Sequence, residues 1–463
     1  MSARWAFGLL FLFITLFRPA SGQTLIIGET PAGTVDGKNA VFTLANSPSS
    51  NVALYKNGLR QRNGVDYSAN GMTIQFSAQA TPLPGDTLVA DYAGQSQPIK
   101  PPTPTSPGQY SRAITIDHTK VPNTDQTNFP VLISGVYSYL AGSQQGGHVQ
   151  NPSGYDILFT SDAAGQNPLN SQIESYNAVT GAVNIWVQLP EVSHTADTTF
   201  YMFYGNSATT APQGNPTATW DSNYKGVYHL AGSMSLAADA TANANNGTID
   251  GATPTPGQIN GAAAFSGSSQ YLTMGNVLDL GSSDFTLSAW AAPANQSQFG
   301  PIVSKRQNSG GYQQYVFGVG SVNSYGSAAA GKTIFLFLYD GATLQSYHTA
   351  NNIVDGHWHD LVATRTSSGI NIYVDGVNQP LVADAAGSAS ENIANSGLFD
   401  IGFNSGFNFY TGSIDEVRVS NIARSSDWIA TEFNNQSSPA TFYTIGSEVT
   451  QTSAAGSAIS AVR

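Results

Sequence analysis

Residues 356–377 read GHWHDLVATRTSSGINIYVDGV, and this stretch decides the fold. Polar and apolar residues alternate over 359–365 and again over 370–374, as a strand with one buried face requires. A short polar turn at 367–369 joins the two runs. Asp375-Gly376 ends the second, and both residue types accept the positive φ of a tight turn. Trp358 gives the start of the hairpin a large apolar anchor. The pattern predicts an antiparallel hairpin inside a β-sandwich.

The rest of the chain agrees with that reading. Its 463 residues suffice for about three domains. Only 10% of residues are charged, while Gly, Ser, Thr, Asn and aromatics abound. Such a composition suits turn-rich sandwiches, whereas helical bundles draw on Ala, Leu, Glu and Lys. There are no cysteines, so stability has to come from large cores or metals rather than disulfides. At the N-terminus, Arg4 precedes an apolar run over 5–17 that ends near Ala20-Ser21-Gly22. The run is shorter than the roughly 20 residues of a spanning helix. It predicts a secretory signal peptide over 1–22 with cleavage before Gln23, and no transmembrane anchor. Cleavage would remove two of the 17 basic residues and none of the 29 acidic ones, taking the net charge from −12 to −14. An acidic chain of this kind is not expected to bind nucleic acid, whose phosphates call for Lys and Arg.

In chain order, residues 23–92 carry short strands punctuated by Asn57-Gly58, Asn63-Gly64 and Asn70-Gly71, strong hairpin signals. Arg60 and Arg62 read as solvated turn charges. The run LYKNGLRQRNGVDYSANGMTIQF resembles a small β module of phage tail fibres and bacterial surface proteins, which implies a spacer or attachment unit. Residues 93–108 include QSQPIKPPTPTSPG, an extended semi-rigid linker. Residues 109–220 form a second β domain. Its segments YDILFTSDAAGQNPLNSQIESYN, NIWVQLPEV and TTFYMFYGN resemble a family of unknown function that precedes LamG-like domains in secreted bacterial proteins. Trp186, Tyr201 and Phe203 are expected to fill a core face there. Asp156 and Glu174 are candidates for a carboxylate pair, though isolated strand carboxylates are usually structural.

Residues 224–449 show many short strands at roughly ten-residue spacing, the mark of a two-sheet antiparallel sandwich. GQINGAAAFSGSSQYL, FTLSAW, HWHDLVAT, IYVDGV and GSIDEVRVSN occur in order, and together they resemble the LamG-like, concanavalin A-like jelly roll. The segment SSDWIATEFNN predicts a helix with a Ser or Asp N-cap and a packed Trp428. Residues 450–463 read as a disordered tail. The fold class is therefore all-β: a small antiparallel module, a β-sandwich middle domain and a jelly roll.

Chemistry is less well marked. Glycoside hydrolysis needs two carboxylates on either side of the bond. No strand carries them at alternating positions, and adjacent Asp415 and Glu416 are expected on opposite strand faces. His357 and His359 share a face with Asp360 next door, but two ligands do not make a metal site, and they read as framework. A G-x-S-x-G elbow is absent. No catalytic residue is assigned.

Calcium takes six to eight oxygen ligands. The loop DATANANNG at 239–247 concentrates such groups. The LamG resemblance implies one structural calcium held by Asp239, Asn245, Asn246 and Asp415. Ligand binding in such jelly rolls uses loop aromatics and amides. Candidates are Tyr312, Tyr325, Tyr347, Phe407 and Tyr410, and the preferred set is Phe407, Asn408, Tyr410 and Tyr312. The expected function is a secreted, non-catalytic binding protein for a polysaccharide or cell-surface glycan, with self-association possible. Two alternatives are a structural adhesin or extracellular filament subunit, and a divergent carbohydrate-active enzyme.

Overall fold

A computed structural model describes residues 23–44, 48, 51–95, 107–232, 235–294, 299–308, 312–322, 328–387, 392–404 and 408–451. The expected signal peptide, most of the linker and nearly all of the expected tail lie outside these residues. The chain divides into two units, Met1–Thr105 and Ser106–Arg463.

In the first unit, one sheet orders Gln23–Glu29, Leu88–Gln95, Ala53–Lys56 and Leu59–Arg60. A second orders Val41–Thr43, Thr73–Phe76 and Tyr67–Asn70. Phe42, Leu54, Ile74 and Ala90 fill the core between them. Asn57 (φ 52°) and Gly58 (φ 78°) make the turn that joins Ala53–Lys56 to Leu59–Arg60, as Asn-Gly predicts. Arg60 and Arg62 are exposed, and Arg62 pairs with Asp66 at 3.1 Å.

In the second unit, the middle domain is a sandwich. One sheet orders Leu158–Thr160, Thr198–Tyr204, Tyr110–Ile116 and Tyr443–Ile445. The other orders Ser171–Asn177, Ala182–Val192 and Gln126–Val136. The position of Tyr443–Ile445 corrects the expected domain boundary. The end of the chain does not belong to the jelly roll but returns to the middle domain, pairing Tyr443 with Ile116 and Val449 with Ser111. The helix Ser426–Ser437 carries the chain back. Ser425 caps it by accepting from the Trp428 amide. Asn435 bonds both the amide and the carbonyl of Leu132, and Trp428 meets Phe129 edge to face at 4.8 Å. The jelly roll is thus inserted between two strands of the middle domain's sheet.

The jelly roll has two eight-stranded antiparallel sheets. The first runs Thr253–Pro256, Gly261–Ser266, Thr411–Ser420, Phe285–Pro293, His359–Thr366, Gly369–Val374 and Val377–Asn378, with Tyr224–Tyr228 also on Thr411–Ser420. The second runs Thr248–Asp250, Tyr271–Thr273, Leu398–Ile401, Gly300–Arg306, Gln314–Val322, Ala328–Tyr339, Leu344–Thr349 and Leu381–Ala386. Leu272, Leu287, Phe317, Leu336, Phe399, Ile414 and Val417 are among the side chains packed between the sheets. The hairpin stands as predicted: Thr366 opposes Gly369, and Asp375 (φ 52°) with Gly376 (φ 75°) closes its far end. Trp358, however, packs against the middle domain's cluster and not inside the jelly roll.

Candidate functional site

Two places gather functional side chains. The first lies on the outer face of the second jelly-roll sheet. Leu272 points into the core, so its neighbours Tyr271 and Thr273 point out. Phe399 and Ile401 also point in, which turns Asp400 outward. Register places Asp250 opposite Tyr271, and Thr273 opposite Asp400. After Ile401, Gly402 (φ 80°) bends the chain into a short pairing of Phe403–Asn404 with Asn408–Phe409. A side chain at Gly402 would collide with the Phe265 ring at 2.5 Å, so glycine is required.

The result is an aromatic platform. Phe403 and Phe409 stack at 4.5 Å, Tyr271 lies 4.8 Å from Phe403, and Tyr271 lies 6.4 Å from Phe409. All three rings are half-buried, with Asn408 half-buried and Asp250 exposed beside them. The hydrogen bond to the Asp250 carboxylate raises the Tyr271 hydroxyl above its usual pKa, and burial adds to this. Burial pushes Asp400 up to about 6, against the pull of Thr273 and Lys305.

The expected ligand set is only partly brought together here. Asn408 sits at the platform. Tyr410 does not: it is fully buried, edge to face with Phe265 at 6.0 Å, with its hydroxyl on the Ser413 carbonyl. The alternation of the strand turns Phe409 outward and Tyr410 inward. Tyr312 is exposed, but it leads into Gln314–Val322, three strands from Tyr271–Thr273 in the sheet order. Phe407 and Tyr325 lie outside the described residues. Sequence reasoning missed Tyr271 and Phe403, because each falls inside a motif that reads as framework.

The second place lies between the two domains. Ile414 and Val417 both point into the jelly-roll core, leaving Asp415 and Glu416 between them. Glu416 adopts φ +49°, and the register against Phe285–Pro293 slips there. This bulge puts both carboxylates on the outer face, correcting the expectation of opposite faces. Glu416 meets His229 Nδ1 at 2.7 Å and Arg418 at 2.7 Å. Arg418 also pairs with Glu432, and its guanidinium lies over Trp186 at 4.5 Å. Glu174 of the middle domain accepts from the Trp186 indole at 2.9 Å, 3.5 Å from His229.

Burial opposes the charge on Glu416, but His229 and Arg418 hold its carboxyl below the usual range. Burial pushes Glu174 up to about 7, and Glu416 adds to this. Trp186 is fully buried in the hydrophobic cluster of the middle domain and also stacks on His229 at 6.0 Å. Asp156 is not paired with Glu174. It accepts instead from the amides of Gln150, Asn151 and Gly205.

Among the described residues, Asp117–His118–Asp197 and Glu174–His229–Glu416 each bring three ligand atoms within 4.8 Å. In the latter, His229 and Arg418 already meet the charge of Glu416. The four residues expected to hold calcium make hydrogen bonds of their own. Asp239 accepts from Val227, the amide and hydroxyl of Thr241, and Asn245. Asn246 accepts from the Asp239 amide, and Asn245 donates to the Lys225 carbonyl. Asp415 accepts from Ile259. Short polar side chains of the loop thus bond its own backbone amides. Both ring nitrogens of His359 are engaged, with Asp375 at 2.8 Å and Asp355 at 3.2 Å.

Two family models match the chain. Residues 266–430 match the concanavalin A-like lectin/glucanases superfamily (Laminin_G_3), and residues 153–230 match the domain of unknown function DUF2341. The chain carries a DUF2341 domain and a concanavalin A-like domain. The DUF2341 match takes in Glu174, Trp186 and Trp220, and it extends through Tyr224–Tyr228, a strand of the jelly roll.

Among solved structures, the chain is similar to the binding domain of Paraclostridial Mosquitocidal Protein 1, at 13% identity and TM-score 0.35, covering 46% of this chain and 52% of that one. It is also similar to domain 4 of AbnA, a GH43 extracellular arabinanase from Geobacillus stearothermophilus solved with arabinotriose, at 16% identity and TM-score 0.34, covering 46% and 98%. The botulinum neurotoxin serotype D binding domain gives 13% identity and TM-score 0.35, covering 48% and 53%. The chain thus spans about half the length of the first of these. No curated protein matches it. Among the described residues, no helix is long and apolar enough to cross a membrane.

Proposed function

We propose that the protein is a secreted, non-catalytic carbohydrate-binding protein that recognises a polysaccharide or cell-surface glycan through its concanavalin A-like domain. The observation that carries this reading is the half-buried platform of Tyr271, Phe403 and Phe409. Aromatic faces stack on the apolar faces of sugar rings, while Asn408 and Asp250 at the rim offer hydrogen bonds to hydroxyls. Export rests on the charged, then apolar, then small-residue pattern of residues 1–22. The non-catalytic reading is supported by a carboxylate cluster, Glu174, Asp415 and Glu416, whose side chains are buried between the domains and bonded to Trp186, Ile259, His229 and Arg418.

The test is retention on a panel of immobilised polysaccharides and cell walls. The wild-type chain is expected to be retained on at least one, and a Tyr271→Ala/Phe409→Ala variant of unchanged Tm is expected to elute with the void. Failure of the wild type to bind any of them contradicts the reading.

A further inference from the structure

The charge at the rim of the platform is one-sided. Asp250 is exposed and lies in register with Tyr271. Asp400 faces the same side one strand further on. It is only 1% exposed, and its Oδ1 has no hydrogen-bond partner. Among the described residues neither carboxylate forms a salt bridge. The cation that acts on Asp400 is Lys305, but its ammonium is bonded to Asn276 Oδ1 at 2.7 Å and to the Gly397 carbonyl at 2.8 Å.

Ionised carboxylates only accept hydrogen bonds, so this rim calls for a ligand rich in donors. Aromatic faces carry negative charge density and attract cations placed over them. The chain as a whole is at −12, which draws polycations and repels polyanions at long range. An ammonium group answers all three features: it has three donors, no acceptor and a positive charge.

We infer that the platform of Tyr271, Phe403 and Phe409, with Asp250 at its rim, binds a glycan that carries free amino groups. The inference rests on the carbohydrate-binding reading and narrows it. The sugar ring stacks on the aromatic faces, and its ammonium sits against Asp250, above the side of the sheet where Asp400 is buried. Uronic-acid polymers are excluded by like charge, and N-acetylation removes the cation that the rim selects.

The experiment titrates the full chain by calorimetry with four probes: a glucosamine oligosaccharide, its N-acetylated counterpart, an uncharged β-glucan oligosaccharide and oligogalacturonate. The glucosamine probe is expected to bind at least about tenfold more tightly than the acetylated one. This preference should shrink at about 0.5 M salt, where surface charges are screened. Asp250→Asn should remove the preference, and Tyr271→Ala should abolish glucosamine binding, each with an unchanged Tm. Equal or tighter binding of a neutral probe, or a preference that survives Asp250→Asn, overturns the inference and leaves the carbohydrate-binding reading intact. Glucosamine binding that survives Tyr271→Ala overturns it as well, since it then reflects general attraction to an acidic chain. If none of the four probes binds, the inference fails; whether the broader reading fails with it is settled separately by the polysaccharide and cell-wall panel.

Discussion

Asp415 and Glu416 are neighbours in the chain, yet both face outward from the strand Thr411–Ser420, because Ile414 and Val417 on either side of them both enter the core. The left-handed backbone at Glu416 makes this possible. It aims Glu416 at His229 and Arg418, which in turn meet Glu174 and Trp186 of the DUF2341 domain.

Removing Glu416 should therefore cost far more than a surface substitution. Glu416→Ala leaves Arg418 buried with one carboxylate fewer and His229 without its 2.7 Å partner. Breaking a buried ion pair on one side costs about 3–5 kcal/mol. Chemical denaturation should show a loss of that size, with both domains unfolding earlier. A change under about 1 kcal/mol would show that the pair does not hold the interface.

The same cluster sets a pH dependence. Glu174 has its folded pKa raised to about 7 from an ordinary 4.5. A raised carboxyl favours the protonated folded state, so stability is highest below the ordinary value and falls as pH climbs toward 7. His229 is also raised despite burial, because Glu416 and Glu174 favour its charged form, and the stability it adds is lost as pH rises through its folded value. The two effects have the same sign. Thermal unfolding should show Tm falling between about pH 4.5 and pH 7, and Glu174→Gln should flatten that slope. A Tm that rises across this window contradicts the assignment.

Cutting the chain after Ser437 should damage a strand more than three hundred residues away in sequence. The cut removes Tyr443–Ile445 from the edge of Tyr110–Ile116, along with the Tyr443 hydroxyl that bonds the Ser134 amide at 3.0 Å. An uncovered edge with lost ladder bonds opens more readily. Hydrogen exchange in residues 110–116 should accelerate at least tenfold; unchanged protection would show that the returning strand is dispensable.

These features differ in how legible they are in sequence. The hairpin at 356–377 follows from alternation and from an Asp-Gly turn, both local signals. The bulge at Glu416 does not, since a single left-handed residue breaks the period-2 rule without changing composition. The same weakness misplaced Tyr410: one step in register exchanges its place with that of Phe409. The return of Tyr443 to Ile116 is a pairing across most of the chain, and nothing local marks it. Trp358 was legible as an anchor but not as an anchor to the neighbouring domain. The loop at 239–247 is ambiguous for a further reason, because the Asp and Asn side chains that suit a cation also suit the backbone amides of their own turn.

The central claim is that the outer-face platform of the concanavalin A-like domain binds glycan. The most direct measurement is the affinity of the full chain and of its Tyr271→Ala and Phe409→Ala variants for the tightest glycan found on the polysaccharide panel. The account predicts at least roughly a tenfold loss for each variant, with Tm unchanged, as expected when a ring at the centre of a contact is removed. Binding that is unaffected by both substitutions would contradict it.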